Sequence, residues 1–377
     1  MAKIDAEMGM PNVGAFANPL EGWPNDDICL SEESRAYIHE TQPALLRVLD
    51  WPELRDEFNR HNTPGLAAKK RNRLTGFIAI YGSAIGLMVA AIAPLFPETK
   101  LLWIASEILL ATGVVLGAFH FWLAKHKSRW LGHRFWTERL RQLYFQFLIA
   151  NIDLAAKAID ESDAKEEYDA ARKQALKVLL QQKKDTSHLL EELVSDVAET
   201  SPWIDVKWRS QAKNLSKTKN TELLLSILER QRIGVQEEYV QKKIRAGFHS
   251  PISRANFLAS TADLCTFLVV ALGFVAGYLF FQHDLGAANV WVKLCLASSA
   301  VLSAAILLLR ILDEALCLRI SSERYKWYLA ATRDVRARFQ GTNKANEKVR
   351  ILKEMEQISY QELRRFIACH KAARFLL

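Results

Sequence analysis

The stretch best suited to chemistry is a basic segment at residues 202–220 that carries two tryptophans. Cationic side chains can neutralise phosphates while aromatic faces stack on bases, an arrangement that single-stranded nucleic acid favours. The segment therefore predicts a site for a nucleotide or a single-stranded DNA oligomer; a solvated basic loop anchored by its tryptophans is the alternative. The candidate residues are Trp203, Lys207, Trp208, Arg209, Lys213, Lys217 and Lys219.

A second set of residues places polar groups inside long apolar runs. Ionisable side chains at membrane depth are costly and commonly mark the path of an ion or a substrate. Glu107 and nearby hydroxyl groups could face water between several copies of the chain; alternatively, Glu107 snorkels to the membrane surface or pairs with Lys293 for structure alone. The pore-lining candidates are Glu107, Thr112, Ser298, Ser299 and Ser303.

Motifs for catalysis and for metal binding are absent from the sequence. It contains no GxGxxG, Walker A, HExxH, GxSxG or kinase signature. His126 and His133 lack a third ligand, and the five cysteines form no CxxC pair. We therefore expect no enzyme, no metal site and no cofactor.

The elements that must position these candidates are helices, because four apolar runs dominate the sequence. The runs are residues 74–95, 101–123, 264–281 and 290–311. A helix of about 20 residues spans a hydrocarbon core, so the sequence predicts an all-α membrane protein with four transmembrane helices. Buried helices of a large soluble core are the alternative, but such helices rarely stay almost free of charge for so long.

Short connectors at residues 96–100 and 282–289 make each pair of runs a helical hairpin. Lysines and arginines cluster at the open ends of both hairpins, whereas the connectors contain only Lys100. Basic residues stay on the cytoplasmic side of a membrane. We therefore expect a multi-pass protein of the bacterial inner membrane with both termini and the long middle segment in the cytoplasm.

This topology divides the chain into five regions. They are a cytoplasmic N-terminal segment (1–73), the first hairpin (74–123), a cytoplasmic helical domain (124–256), the second hairpin (257–311) and cytoplasmic C-terminal helices (312–377). Hydrophobic periodicity predicts helices at residues 31–40, 44–60 (ending at Pro64-Gly65), 133–158 (prolonging the second run), 163–182, 186–200, 221–245, 321–339 and 346–375.

Glycine pairs four residues apart recur in three of the runs. Small residues at this spacing let helix backbones approach closely, which is how helices associate in lipid. The repetition predicts tight helix packing within or between copies of the chain. The helix-packing candidates are Gly82, Gly86, Gly113, Gly117, Gly273 and Gly277.

The helices that follow the two hairpins open with similar basic and aromatic segments. The first segment is Trp130-Leu131-x-His133-Arg134-x-x-Trp136-x-x-Arg139-Leu140-Arg141, and the second is Glu323-Arg324-Tyr325-x-Trp327, followed by residues 351–362 and 366–375. Together with the hairpins, these segments resemble the SLATT group of bacterial two-span membrane effectors over about two thirds of the chain. Two hairpins rather than one, and an inserted region near residues 159–245, depart from the simplest pattern of that group.

The resemblance implies an oligomeric ion-channel effector of anti-phage defence, embedded in lipid. It implies a homo-oligomer such as a tetramer, gated by a nucleotide or DNA-oligomer signal that a partner nucleotidyltransferase makes. Within the group, the channel effectors of Hailong defence systems carry a cytoplasmic crown that binds a short DNA signal, and the inserted basic region would correspond to it. A non-conducting membrane scaffold or receptor that recruits cytoplasmic partners is the alternative.

Overall fold

The computed structural model describes residues 43–96, 98–122, 124–181, 218–247, 250–282 and 288–372. Within these ranges the chain is helical and forms no strand, which confirms the all-α prediction. A 3-10 turn, Ala93–Leu95, follows the second helix, and a π-helical turn, Glu229–Gly234, joins the seventh to the eighth. The helices are α1 (Pro43–Leu49), α2 (Pro52–Ile92), α3 (Lys100–Trp122), α4 (Ala124–Ala150), α5 (Ile152–Ala158), α6 (Ser162–Gln181), α7 (Lys219–Leu228), α8 (Val235–Ile244), α9 (Pro251–Gln282), α10 (Ala288–Leu316), α11 (Leu318–Gln340) and α12 (Ala345–Ala372).

Among the described residues, three helical stretches are long and apolar enough to cross a membrane: Pro52–Leu95, Pro251–Phe281 and Val290–Gln340. Many of their apolar side chains face outward; Phe274 and Phe281 on α9 are 77% and 89% exposed. A large exposed apolar surface marks contact with lipid or with another protein. The second apolar run forms α3, which is not one of these three stretches, so four crossings stay a prediction.

The apolar helices pack in two pairs that touch each other. Helix α2 lies along α3, α9 lies along α10, and α10 also packs on α2. Ile80 of α2 forms a small buried cluster with Leu312 and Ala315 near the end of α10. The two pairs therefore share an interface within one chain.

The remaining helices form a second layer, which we call the polar bundle: α1, the first half of α2, α4 to α8, α11 and α12. One continuous apolar core runs through it and includes Leu54, Phe145 and Leu352. The hydroxyl of Tyr144 on α4 donates to the carbonyl of Leu49 on α1 at 3.1 Å. The core thus joins segments from both ends of the described chain.

The helix end predicted at Pro64-Gly65 is wrong, because α2 continues through both residues. An interior proline costs about 3 kcal/mol, since it removes a backbone hydrogen bond. Packing offsets this cost: Leu54 and Phe58 are fully buried on α2, each worth about 1.5–3 kcal/mol. At Gly65 an added Cβ would lie 3.1 Å from the Cβ of His133 on α4, so the two helices approach closely where the break was expected.

The helix predicted at residues 133–158 is also divided differently. Helix α4 ends at Ala150, and Asn151 leaves helical geometry with φ −120° and ψ 28°. Its side-chain amide donates to the carbonyl of Phe147 at 2.9 Å, a local bond of the kind that lets asparagine interrupt a helix.

The helices predicted at 163–182, 221–245, 321–339 and 346–375 are present as α6, α7 with α8, α11 and α12, whereas those at 31–40 and 186–200 lie outside the described residues.

Candidate anion-binding cavity

A cavity of about 80 Å³ lies inside the polar bundle, between α4, α8, α11 and α12. Three tyrosines contribute to its wall. Basic side chains outnumber acidic ones there, which is unusual for a buried surface because unpaired charges are costly to desolvate. The charged wall residues are Arg134, Arg141, Arg232, Arg324, Glu138 and Glu362.

Helix α4 contributes a row of three charged side chains spaced by four and three residues, so they share one helix face. Arg141 Nη1 donates to Oε2 of Glu138 at 2.6 Å, and Arg134 forms an ion pair with the same carboxylate. Burial alone raises the pKa of Glu138, but these two arginines outweigh it and lower the pKa to about 2. The carboxylate is therefore ionised at any ordinary pH.

The π-helical turn places Arg232 in the cavity wall. Its Nε donates to Oε1 of Glu356 on α12 at 2.5 Å, and the two side chains are 3% and 0% exposed. The guanidinium also lies over the ring of Phe145 at 4.6 Å from its centroid. Single π turns inside α-helical stretches occur often at functional sites, and this one aligns a buried cation with its counter-ion.

Arg324 on α11 is a wall residue with unused hydrogen-bond donors. It is 5% exposed, and its guanidinium lies 4.8 Å and 4.9 Å from the ring centroids of Tyr325 and Phe366. Nε is 3.3 Å from Oε1 of Glu362. Among the described residues, however, neither Nε nor Nη1 has a hydrogen-bond acceptor in good geometry. A buried donor without an acceptor costs about 1–3 kcal/mol, a cost that a bound anion would remove.

The chemistry of this wall suits a phosphate-bearing ligand. Guanidinium groups bind phosphate and carboxylate oxygens through paired, charge-assisted hydrogen bonds. Burial raises the pKa of Glu362, although Arg324 opposes the rise, so proton uptake there would increase the excess of positive charge. The volume of about 80 Å³ has room for a few water molecules or for one phosphate group.

The predicted pore-lining residues lie on two helices of the single chain, α3 and α10. Glu107 and Thr112 are exposed on α3, while Ser298 and Ser299 are half-buried and Ser303 is exposed on α10. Ser303 Oγ donates to the carbonyl of Ser299 at 2.8 Å. Within the described part of the chain, Glu107 forms no ion pair with Lys293, so the predicted structural pairing of these two residues is not found.

The predicted nucleic-acid site falls almost entirely outside the described residues. Lys219 is the exception, and it is exposed at the start of α7. The other candidates lie outside the described ranges: Trp203, Lys207, Trp208, Arg209, Lys213 and Lys217.

The glycine pairs differ in their surroundings. At Gly86 an added Cβ would lie 2.7 Å from the backbone nitrogen of Leu110, so α2 and α3 touch there. At Gly273 and Gly277 no heavy atom lies within 4 Å of an added Cβ. Gly82 is half-buried on α2, and Gly113 and Gly117 lie on α3. Within the chain, α2 and α3 thus approach closely at Gly86, whereas packing of Gly273 and Gly277 against another copy stays a prediction.

Sequence reasoning missed the cavity even though it singled out part of its wall. Arg134, Arg141, Arg324 and Tyr325 all belong to the two similar segments that open the helices after the hairpins. The similarity of these two segments was the available signal for the cavity, since similar segments can pack against each other at an interface within one chain. Arg232 carried no signal in the sequence, whereas its partner Glu356 lies within the quoted residues 351–362.

Comparisons of the chain with protein-family models, with curated proteins and with solved structures found no match. The resemblance to the SLATT group therefore rests on the residues quoted for it.

Proposed function

We propose that this protein is an oligomeric ion-channel effector of the bacterial inner membrane, controlled by a phosphate-bearing ligand in the arginine-lined cavity. Each chain crosses the membrane four times, with both termini and the polar bundle in the cytoplasm. The ligand class is a nucleotide or a short DNA oligomer made by a partner nucleotidyltransferase, with one phosphate group in the cavity. The role is anti-phage defence, as in the group that the sequence resembles.

The observation that carries this proposal is how the cavity wall connects to the apolar helices. Helix α4 is separated from α3 by residue 123 alone, and α11 is separated from α10 by Cys317 alone. Residues 245–250 lead from α8 into α9. A ligand shifts a conformational equilibrium only if it binds one state better than the other. An anion that draws α4, α8 and α11 together would act directly on three apolar helices.

The packing of α3 supports the fourth crossing. This helix has 23 residues, a length of about 35 Å, which is sufficient for a hydrocarbon core of about 30 Å. It lies along α2, with backbone contact near Gly86 and Leu110. A helix so closely paired with a membrane-spanning partner would share its environment.

The exposure of polar residues on these helices supports an oligomer. Glu107, Thr112 and Ser303 are exposed on the single chain, and a carboxylate in lipid costs about 2.5–3.5 kcal/mol or more. Contacts with further copies, or with water between them, would remove this cost. Four helices in one chain leave no room for a wide conduit, so conduction requires several copies around an axis.

Ion flux from liposomes that contain the purified full-length protein tests the proposal. We expect the wild-type protein to release entrapped ions, and Glu107→Gln to change the rate or the ion preference. Glu98→Gln is the matched control, because Glu98 is exposed in the connector after α2. No flux under any ligand condition, with phosphate binding intact, would instead favour the non-conducting receptor.

A further inference from the structure

Two cysteines meet where the apolar helices join the polar bundle. Cys317 and Cys369 form a small buried cluster of their own, with 5% and 7% of their surfaces exposed. Sγ of Cys317 lies 3.6 Å from the carbonyl oxygen of Cys369, and both residues are free thiols. The other described cysteines, Cys265 and Cys295, lie on α9 and α10.

The first of these cysteines occupies a special backbone position. Cys317 is the single residue between α10 and α11, with φ 49° and ψ 37° in the left-handed region. It is the one non-glycine residue with positive φ among those described. A side chain in this conformation costs about 1–2 kcal/mol, so the bend between the two helices is held by the packing around it.

The thiol pair lies between the same two helices as one wall of the cavity. Helices α11 and α12 run antiparallel, because Arg324 pairs with Glu362 and, further along, Arg338 pairs with Glu354. Cys317 precedes Arg324 by seven residues, and Cys369 follows Glu362 by seven. The cysteines are therefore two helical turns from the ion pair of the cavity wall, between the same two helices.

The surroundings of the pair favour ionisation of one thiol. A hydrogen bond from Cys369 lowers the pKa of Cys317, and the Lys127 and Arg324 charges act in the same direction, while burial and the Glu314 carboxylate oppose them. The partnership with Cys317 and burial raise the pKa of Cys369. Low pKa, nearby cations and solvent access are the features of oxidation-sensitive cysteines, which commonly have a second, resolving thiol beside them. The cations and the second thiol are present here, and hydrogen peroxide must enter through the small exposed fraction of the pair.

We propose that Cys317 and Cys369 form a site of oxidative modification, at which a peroxide converts the dithiol to a disulfide that fastens the α10–α11 bend to the end of α12. The Cys317 thiolate attacks one peroxide oxygen, the O–O bond breaks, and a sulfenic acid and hydroxide result. The sulfur of Cys369 then attacks the sulfur of Cys317; the S–S bond forms, the S–O bond breaks, and the second hydroxide leaves. With the two thiol protons, two thiols and one peroxide become one disulfide and two waters.

Peptide mass spectrometry of the full-length protein in detergent tests this assignment without any variant. After hydrogen peroxide treatment, alkylation of free thiols and digestion with trypsin, residues 311–319 and 366–371 carry the two cysteines. We expect these peptides to appear joined, lighter by two hydrogens, and at least tenfold more abundant than any other cysteine pair. Dithiothreitol should separate them.

A second measurement tests whether the disulfide restrains the α10–α11 bend against α12. The oxidised wild-type protein should unfold at a higher temperature than the reduced protein, because a cross-link restricts the unfolded chain. Cys369→Ser should show no such rise and should leave Cys317 as a sulfenic or sulfinic acid. The proposal is overturned if the two peptides stay separate at peroxide concentrations that oxidise Cys265, or if they join without raising the unfolding temperature.

Discussion

Arg324 and Glu362 join α11 to α12 through an ion pair in which Nε and Oε1 lie 3.3 Å apart. The pair leaves Nη1 of the arginine without an acceptor among the described residues, inside a cavity that three further arginines line. An ion pair with unused donors on its buried arginine contributes little to stability by itself, since replacing such pairs by apolar residues is often neutral or favourable. Its arrangement suits the capture of an anion.

Removing this guanidinium should weaken anion binding. We expect Arg324→Gln to bind inorganic phosphate at least tenfold more weakly than the wild type in titration calorimetry. One charge-assisted hydrogen bond contributes about 1.5–3 kcal/mol, and about 1.4 kcal/mol corresponds to tenfold. Arg319→Gln is the control, because that side chain is 66% exposed and five residues earlier in the chain. Equal affinities in the two variants would contradict the site.

Anion binding should strengthen as the pH falls. Because burial raises the pKa of Glu362 above its ordinary value of 4.5, its neutral form persists to higher pH in the folded protein. The neutral carboxyl group favours a bound anion. This favourable effect is complete below the ordinary pKa value and is lost as the pH rises through the raised pKa. Burial lowers the pKa of nearby His370 to about 4, so this side chain is neutral in most of that window.

Sulfate is the suitable probe of this pH dependence, because its own charge is constant in the window. The wild-type protein should bind sulfate more tightly toward the acidic end. Glu362→Gln, which carries no titratable group, should bind tightly throughout. A slope of the same size in both proteins would assign the titration to another group.

The buried pair of Arg232 and Glu356 should be essential for stability. Glu356→Leu leaves a buried cation without its counter-ion, which lowers the free energy of unfolding by about 3–5 kcal/mol. The double variant Arg232→Met with Glu356→Leu should recover most of that loss in denaturant titrations. Glu347→Ala, at the exposed pair with Arg350, is the control and should change stability far less, because exposed ion pairs contribute little.

The backbone contact at Gly86 should not tolerate a side chain. Gly86→Ala places a Cβ 2.7 Å from the nitrogen of Leu110, and such overpacking costs about 1–3 kcal/mol. Gly273→Ala meets nothing within 4 Å in the single chain, so the isolated chain should keep or slightly gain stability. Thermal unfolding in detergent compares the two variants, and equal unfolding temperatures would contradict the close approach of α2 and α3.

Much of the helical architecture could be predicted from the sequence, because apolar runs and hydrophobic periodicity depend on local spacing. The helix end predicted at Pro64 was wrong because the rule that proline ends a helix considers only the one hydrogen bond that proline removes. Phe58 and its neighbours on α2 are buried by helix α4, which is distant in the sequence. Asn151 interrupts α4 through a bond from its own side chain. Such long-range packing and side-chain competition leave little trace in hydrophobic spacing.

The candidate site could be predicted only in pieces. Residues 130–141 and 323–327 form a similar pair of segments, yet nothing in their local sequence shows that they face one another. Their meeting depends on the packing of α12 with both α4 and α11, and the contacts along each pair of helices show that α12 runs antiparallel to both. Arg232 reaches the cavity through a π-helical turn, and no residue pattern in that stretch indicates the extra residue in the turn.

The most direct test of ligand control is ion flux through the reconstituted protein with and without inorganic phosphate. If the cavity controls the apolar helices, phosphate should change the flux at least severalfold in the wild type and in Arg319→Gln, but not in Arg324→Gln. A flux that phosphate leaves unchanged in the wild type, or changes equally in Arg324→Gln, would contradict the coupling between the cavity and the membrane helices.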